Sequence, residues 1–368
     1  MPAHFGKYNY AICRRLSRSA LMKRMAQQQQ KGHDNKIDTN GNSKTPTNGG
    51  DKAARTKNKK KDKGNKSPSG DSIELTGVDD SNTMENGSTK TNGDGADHSV
   101  DYEKANEELN NFIATLRMLN IDVIELCPDD ELEYDSVFIG DTAVTVNGLV
   151  LLCRPRNRLS EINEIKQIIK SELNLPIIEI KDESALLNGG DVLWTGREIF
   201  VGLSTETNEA GARAVAAAFP EYSVTPVKVP NISNGNKSST NTNKKHQTTN
   251  EITTGMMLKS YITMAGPDIL CINRSHEASS MLRRMEREAS HNYKLITLDD
   301  EQASNVLYIN GTLIHRNDLP ESVSILQEKI DYSRVPVKIS ELTRNNPYHG
   351  LDSLCLLVRK SHRIQTIV

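Results

Sequence analysis

The order of apolar and amphipathic segments constrains the fold of this chain more than any single motif. Residues 143–146 and 149–153 have the short apolar pattern of strands, 160–173 has the spacing of an amphipathic helix, and 177–180 again indicates a strand. This strand–strand–helix–strand order recurs several times without sequence identity between the copies. The alternation predicts an α/β fold and, taken alone, no particular member of that class.

Three local predictions accompany this pattern. Residues 17–25 are predicted to begin a helix or a lid that runs into a polar segment, and residues 136–139 are predicted to form a short strand. Ser160 is predicted to cap the helix that it begins, because a serine side chain can accept a hydrogen bond from an unpaired helical N–H.

Two polar segments, 27–99 and 231–254, interrupt the α/β pattern. They are rich in Asn, Lys, Gly, Ser, Thr and Asp and contain few apolar residues. This is the main reason why the hydrophobic content of the whole chain is only 36%. Segments of this kind cannot bury enough apolar surface to offset the entropy of ordering. We therefore expect two disordered insertions and a single α/β domain formed by residues 1–26 and 100–368.

Charge and cysteine content exclude several broad classes. A formal net charge of -2 and a pI near 6.5 give no overall field that favours nucleic acid or a membrane surface, and no apolar stretch is long enough to span a bilayer. The basic tract 57–66 is most simply a solvated part of the first insertion, with a nuclear-import or anionic-surface role as the alternatives. Five cysteines without metal-binding spacing, and a start without an apolar leader, predict a cytoplasmic protein with reduced thiols.

The segment 187–197 contains Gly189, Gly190 and Asp191 between two apolar runs. Glycines at such a strand-to-strand crossing let the backbone approach a ligand closely, whereas an ordinary hairpin is the simpler alternative. Six other segments share features with one family. They are Phe5-Gly6 with Ala11 and Arg14, Asp135 to Asp141, Arg154-Pro155, Phe200 to Ser204 with Thr207-Asn208, Leu258-Lys259-Ser260, and Met264-Ala265-Gly266-Pro267.

Together with the glycine pair, these segments resemble the dimethylarginine dimethylaminohydrolase family of the guanidino-modifying, or pentein, superfamily. The resemblance runs from Phe5 to about Lys360, apart from the two insertions. It implies a five-bladed α/β propeller with the active site at its central channel and both insertions near the channel mouth. It also implies cofactor-free and metal-free hydrolysis of N-omega-methylated arginine to citrulline and methylamines through a covalent cysteine intermediate, within arginine and nitric-oxide metabolism.

Two carboxylates match family positions that hold the guanidinium of the substrate. They are Asp135 and Asp141, and a carboxylate can bind a guanidinium through charge-assisted hydrogen bonds. The acidic residue that the family has next to the second of them is Gly140 here. Both aspartates could instead be simple turn formers at strand ends, an alternative that the sequence leaves open.

Several catalytic positions of the family carry other residues in this chain. The histidine before Leu-Lys-Ser is Met257, whose thioether cannot transfer a proton, and the aspartate that orients it is Asn188. The arginine for the α-carboxylate of the substrate is Glu206, which reverses the charge. A second substrate-contacting arginine falls on Ser160, although Arg158 is close enough to substitute.

The remaining candidate catalytic groups are ambiguous. His246, in the second insertion, could replace the missing histidine only through a mobile loop, the other histidines lie in unsuitable segments, and His315 is expected to be structural. An alignment without gaps from Gly350 puts the nucleophile on Leu354, and a shift of one residue restores Cys355. The thiol of Cys355 is therefore either a channel-lining nucleophile or a small buried apolar group.

Three functions remain open at this stage. An active methylarginine hydrolase would bind a small guanidino ligand and needs a replacement for Met257. A catalytically degenerate member would act as a binding or regulatory protein, with a protein partner contacting the insertions. A polyanion-binding role through residues 57–66 is the weakest hypothesis, and we expect neither a nucleic-acid nor a membrane partner.

Overall fold

The computed structural model describes residues 7–27, 100–156, 158–230 and 256–360. The predicted disordered segments therefore lie outside the described residues, apart from residue 27, and so do His246 and the basic tract 57–66. The described residues form six helices, which are α1 (18–27), α2 (Tyr102–Met118), α3 (Leu159–Ile168), α4 (Glu209–Ala218), α5 (His276–Glu288) and α6 (Pro320–Lys329).

Fifteen strands of the described residues form five separate sheets of three strands each. The strands are β1 (Tyr10–Arg14), β2 (Asp122–Leu126), β3 (Ala143–Val146), β4 (Leu149–Leu152), β5 (Ile177–Glu179), β6 (Val192–Trp194), β7 (Ile199–Leu203), β8 (Val224–Lys228), β9 (Ile262–Gly266), β10 (Ile269–Asn273), β11 (Lys294–Leu298), β12 (Leu307–Ile309), β13 (Thr312–Arg316), β14 (Arg334–Val337) and β15 (Leu356–Val358).

Each sheet has the same internal order. Its first strand pairs antiparallel with the second, which pairs parallel with the third, and at least one helix lies between the second and third strands in the sequence. Four sheets follow this order along the chain, and the fifth combines β15 with β1 and β2, so the two ends of the chain share one sheet. The predicted strand–strand–helix–strand repeat and the α/β class are confirmed.

Apolar residues of neighbouring elements fill the spaces between sheets and helices. Helix α2 buries Leu109, Phe112, Ile113 and Leu116, the positions spaced for one helical face, in the core that also holds Cys13 and Cys355. Asp101 caps this helix by accepting hydrogen bonds from two backbone N–H groups. Among the described residues, no helix is both long enough and apolar enough to cross a membrane.

Two of the local predictions are wrong. Residues 136–139 are not a strand, because this part of the chain forms the 3-10 turns Tyr134–Val137 and Ile139–Asp141. Ser160 is not the helix cap, since α3 begins one residue earlier and Arg158 occupies the cap position without a capping side-chain bond. The helix predicted for 17–25 is present as α1.

Candidate active site

Four candidate residues lie in turns that lead into the first strand of a sheet. Asp141 precedes β3, Asn188 precedes β6, Met257 precedes β9 and Cys355 precedes β15. Hydrogen bonds join these turns to one another. They run from the Gly140 N–H to the Ser353 carbonyl (2.8 Å), from the Asp352 N–H to Asn305 Oδ1 (3.1 Å), from Ser304 Oγ to the Ser260 carbonyl (3.2 Å) and from the Leu258 N–H to Asp191 Oδ1 (2.9 Å).

Asp141 is buried beside a guanidinium of its own chain. Arg158 donates to Asp141 Oδ2 at 2.9 Å and makes two parallel bonds of 2.8 Å to the carboxylate of Glu161. His349 Nε2 lies 3.0 Å from the same Asp141 oxygen, and its ring stacks on Phe138 at 4.1 Å. We call Asp141, Arg158, Glu161 and His349 the Asp141 cluster. Because two carboxylates share one arginine, the cluster is a charge-balanced or negative buried group.

The charge state of Asp141 follows from these neighbours. Burial raises the pKa of this carboxyl, but the nearby His349 and then Arg158 lower it, so that the pKa lies below its ordinary value. Asp141 is therefore ionised, and the Nε2–H of His349 donates to it. Asp141 Oδ1 and His349 Nδ1 are buried and have no hydrogen-bond partner among the described residues. The cluster thus keeps bonding capacity for water or a small polar ligand.

Asp135 is also bonded to an arginine of this chain. The guanidinium of Arg24, on α1, pairs with Asp135 and lies 5.5 Å above the ring of Tyr134. Asn346 donates to the same Asp135 oxygen and accepts a hydrogen bond from Arg24. Both carboxylates that the resemblance assigns to a ligand guanidinium are thus engaged by internal guanidinium groups.

The triad positions are adjacent but lack the chemistry of a triad. The Oδ1 atom of Asn188 accepts a 2.7 Å hydrogen bond from the Gly190 N–H, and Met257 is buried against the same glycine. A Cβ at Gly190 would lie 2.5 Å from the sulfur of Met257. The glycine pair was predicted to allow close approach of a ligand, and in this structure the close neighbour of Gly190 is the methionine side chain.

Asp191 holds the turn that carries Met257. Its two oxygens accept hydrogen bonds from the Leu258 N–H at 2.9 Å and from the Ser204 hydroxyl at 2.6 Å. Burial raises the pKa of Asp191 to about 7, against the opposing effect of these hydrogen bonds. This buried carboxyl therefore changes its charge close to neutral pH.

The titration of Asp191 predicts a pH-dependent stability. Between its ordinary pKa of 3.8 and the folded value of about 7, the folded protein keeps a proton that the unfolded chain has lost, so the stability falls as the pH rises through this range. In Asp191→Asn, the amide oxygen can still accept from Leu258 and no group titrates. We expect the melting temperature of Asp191→Asn, relative to that of the unsubstituted protein, to rise by several degrees from about pH 4 to about pH 7.

Calorimetric melting curves across this range measure the effect. The exposed Asp122, replaced with asparagine, is the matched control and should melt like the unsubstituted protein. If the melting temperatures of Asp191→Asn and the unsubstituted protein depend equally on pH, Asp191 does not have a raised pKa.

Cys355 lies near the turns that carry Asp141 and Asn188, because Gly140 and Gly189 line the same cavity. It lines a cavity of about 140 Å³ between the first strands of the sheets, together with the ion pair of Lys259 and Asp352 at 3.1 Å. Burial raises the pKa of the Cys355 thiol well above its ordinary value, and the nearby Cys13 and Asp352 raise it further. Strand β15 begins after both Leu354 and Cys355, so strand alternation does not decide between the two nucleophile registers. This raised pKa favours the protonated thiol of Cys355 over the reactive thiolate.

Glu206 faces the Asp141 cluster from the loop after β7. Burial raises the pKa of this half-buried carboxyl, the charges of Arg156 and His349 lower it, and the charge of Asp141 raises it. The backbone N–H of Glu206 donates to Ser204 Oγ at 3.0 Å, which fixes the loop. A negative group here disfavours a ligand carboxylate.

The sequence comparisons identify the family. A family model described as "N,N dimethylarginine dimethylhydrolase, eukaryotic" matches residues 78–328. The chain belongs to this family. It is 34% identical over 271 residues to the human protein DDAH2, which corresponds to 70% of this chain and 86% of the human protein. It is also 29% identical over 124 residues to the N(G),N(G)-dimethylarginine dimethylaminohydrolase of Pseudomonas aeruginosa, covering 33% and 48% of the two chains.

Solved structures share the fold with this family member. A cysteine-to-serine mutant of the Pseudomonas aeruginosa enzyme, complexed with citrulline, has a TM-score of 0.60 and 17% identity over 96% of this chain and 100% of that chain. The N-terminal domain of ArgZ, a cyanobacterial arginine dihydrolase bound to substrate, has a TM-score of 0.52 and 15% identity over 71% of this chain and 89% of that chain. The pentein type of fold is therefore shown, and the resemblance to the dimethylarginine hydrolase family is confirmed.

Three important residues were not predicted from the sequence. His349 contacts Asp141 and was not predicted to do so, and its place directly before Gly350 in the nucleophile segment was the available signal. Arg24 and Glu161 gave no signal, because arginines and glutamates on amphipathic helices are ordinarily solvated. His315 lies within β13 and bonds a backbone carbonyl at 2.9 Å, as expected of a structural residue. In the described part of the chain, no group of three or more His, Cys, Asp or Glu side chains is placed to hold a metal ion.

Proposed function

We propose that this member of the dimethylarginine hydrolase family does not hydrolyse methylated arginine and acts as a binding or regulatory protein. One observation supports this proposal above all others. The two carboxylates that would hold the ligand guanidinium, Asp135 and Asp141, are each paired with an arginine of the same chain. A ligand guanidinium would have to displace one of these arginines before it could bond both oxygens of the same carboxylate.

The catalytic positions support the same proposal. The chemistry needs a thiolate, a group that transfers protons and a charged group that orients it. Burial keeps the thiol of Cys355 protonated, Met257 cannot carry a proton, and Asn188 is uncharged and bonded to the Gly190 N–H. Loss of one essential member of such a unit lowers turnover by about 10⁴-fold.

We also infer that the five sheets close into a five-bladed ring, as the family resemblance implies. The pairing of β15 with β1 joins the two chain ends, and hydrogen bonds link the turns before the first strands. In that arrangement, Asp141, Asn188 and Met257 lie at one end of the ring. A cytoplasmic location, a small guanidino ligand and a protein partner for the two insertions remain predictions.

The test of the proposed function is the release of citrulline from asymmetric dimethylarginine by the purified, folded full-length protein. We expect no release above that of Cys355→Ala, because the thiol is not activated and Met257 occupies the place of the acid–base histidine. Turnover that Cys355→Ala abolishes would contradict the proposal and would establish Cys355 as the nucleophile. Circular dichroism of both proteins establishes that an inactive sample is folded.

Methylarginine hydrolysis remains the second candidate because of His349. Its ring is held by Asp141 at 3.0 Å, in the relation that an orienting carboxylate has to a catalytic histidine, and its Nδ1 is free among the described residues. Turnover that is lost in both Cys355→Ala and His349→Gln, with a pH profile that depends on the histidine, would favour this candidate.

A further inference from the structure

Arg24 connects helix α1 to the candidate site. Its guanidinium pairs with Asp135, and also donates to Asn346 in the loop that continues to His349. The side chains of Arg24 and Asp135 are 20% and 18% exposed, so the pair is screened from most of the solvent. The ring of Tyr134 lies beneath the guanidinium and completes its surroundings.

Among the described residues, α1 also contacts the domain through apolar side chains and through hydrogen bonds to Asp130. Ala20 and Leu21 are its fully buried side chains among residues 18–27, whereas Met22 is 60% exposed. Ser17, just before the helix, donates to Asp130 at 2.7 Å, and Lys23 donates to the Asp130 carbonyl at 2.6 Å. A short helix is marginal in water without tertiary contacts. The Arg24 contact is therefore one of the contacts that keep α1 on the domain.

Arg18 provides an internal comparison on the same helix. It pairs with Glu103 at 3.1 Å and lies 5.0 Å above the ring of Tyr102, so it makes the same two kinds of contact as Arg24. Both partners of that ion pair are exposed, at 67% and 72%, and neither belongs to the candidate site. Exposed pairs of this kind contribute little to stability.

We propose that Arg24 is an autoinhibitory latch, which occupies Asp135 in place of a ligand cation and holds α1 closed over that carboxylate. Displacement of this one guanidinium releases α1, Asp135 and the loop at Asn346 together, because all of them meet at the same carboxylate. The ligand part of this proposal rests on the proposed function, whereas the closure of α1 does not depend on it.

Hydrogen exchange of the full-length protein tests the closure. In Arg24→Gln, we expect the amides of residues 18–27 to exchange about 5-fold faster than in the unsubstituted protein, as for the loss of a partly buried ion pair. Arg18→Gln is the matched control and should leave the exchange unchanged within about 2-fold. Equal exchange in Arg24→Gln and the unsubstituted protein, or equal acceleration in both variants, would overturn the latch.

Titration with methylguanidinium chloride, at concentrations far below those that unfold proteins, tests the occupancy. We expect Arg24→Gln to bind this cation about 3- to 10-fold more tightly than the unsubstituted protein, and Arg18→Gln to bind it equally to the unsubstituted protein. If Arg24→Gln and the unsubstituted protein bind methylguanidinium equally, or if neither binds it, the proposal that Arg24 occupies Asp135 in place of a ligand cation is overturned. Citrulline release would contradict the proposed function without altering the exchange result, so the two failures can be distinguished.

Discussion

Replacement of Arg158 with methionine is expected to destabilise the protein by about 3–5 kcal/mol, which is the cost of removing one partner from a buried ion pair. The substitution leaves two buried carboxylates, Asp141 and Glu161, without their shared counter-charge. Their exposures are 1% and 3%, so water cannot replace the arginine without rearrangement of the surrounding turns. Methionine replaces the apolar stem of arginine but not its guanidinium, so the loss reports mainly the missing charge and hydrogen bonds of that group.

Urea unfolding of Arg158→Met and the unsubstituted protein measures this loss. Arg117→Met is the control, because Arg117 is 52% exposed and pairs with Glu125 on the surface, and it should change the free energy of unfolding by no more than about 1 kcal/mol. A change for Arg158→Met as small as that of the control would mean that the Asp141 cluster does not form in solution.

The two neighbouring glycines are expected to respond very differently to alanine. At Gly189 an added Cβ would overlap the backbone oxygen of Gly140, and the backbone of Asp141 lies only 3.2 Å away. At Gly190 the overlapping atoms are the flexible end of Met257. A rigid backbone neighbour cannot give way, so we expect Gly189→Ala to cost at least about 3 kcal/mol and Gly190→Ala to cost about 1 kcal/mol.

Melting temperatures of the two alanine variants test this difference. The double variant Gly190→Ala with Met257→Ala should restore the space for the methyl group and recover part of the loss. Equal destabilisation by the two single substitutions would contradict the close packing of the turns that carry Asp141 and Gly189.

The sequence predicts the α/β class and the repeat well, because strand and helix periods are local properties of the chain. Local patterns are less informative at turns. Residues 136–139 have the apolar composition of a strand, yet they lie in turns whose hydrogen bonds go to their own segment and to the loop before β15. Strand β15 is shorter than the apolar run that contains it, because the backbone before Leu356 bonds other turns.

The sequence locates the residues of the candidate site, but it does not predict which arginines pair with its aspartates. Asp135, Asp141, Asn188 and Met257 were identified by resemblance, and all lie in turns around one set of sheets. Arg24 and Arg158 were not predicted to pair with Asp135 and Asp141, because such pairs join residues more than a hundred positions apart or depend on the exact start of a helix. His349 was missed because loop length, which sets where its side chain reaches, is not encoded in a periodic pattern.

A structure of crystals grown with asymmetric dimethylarginine at high concentration tests most directly whether arginines of this chain occupy Asp135 and Asp141. We predict that Arg24 remains bonded to Asp135 and that Arg158 and His349 remain bonded to Asp141, with no ligand guanidinium on either carboxylate. A ligand guanidinium bonded to both carboxylates, with the two arginines displaced, would contradict this prediction. It would show that the chain can bind methylarginine.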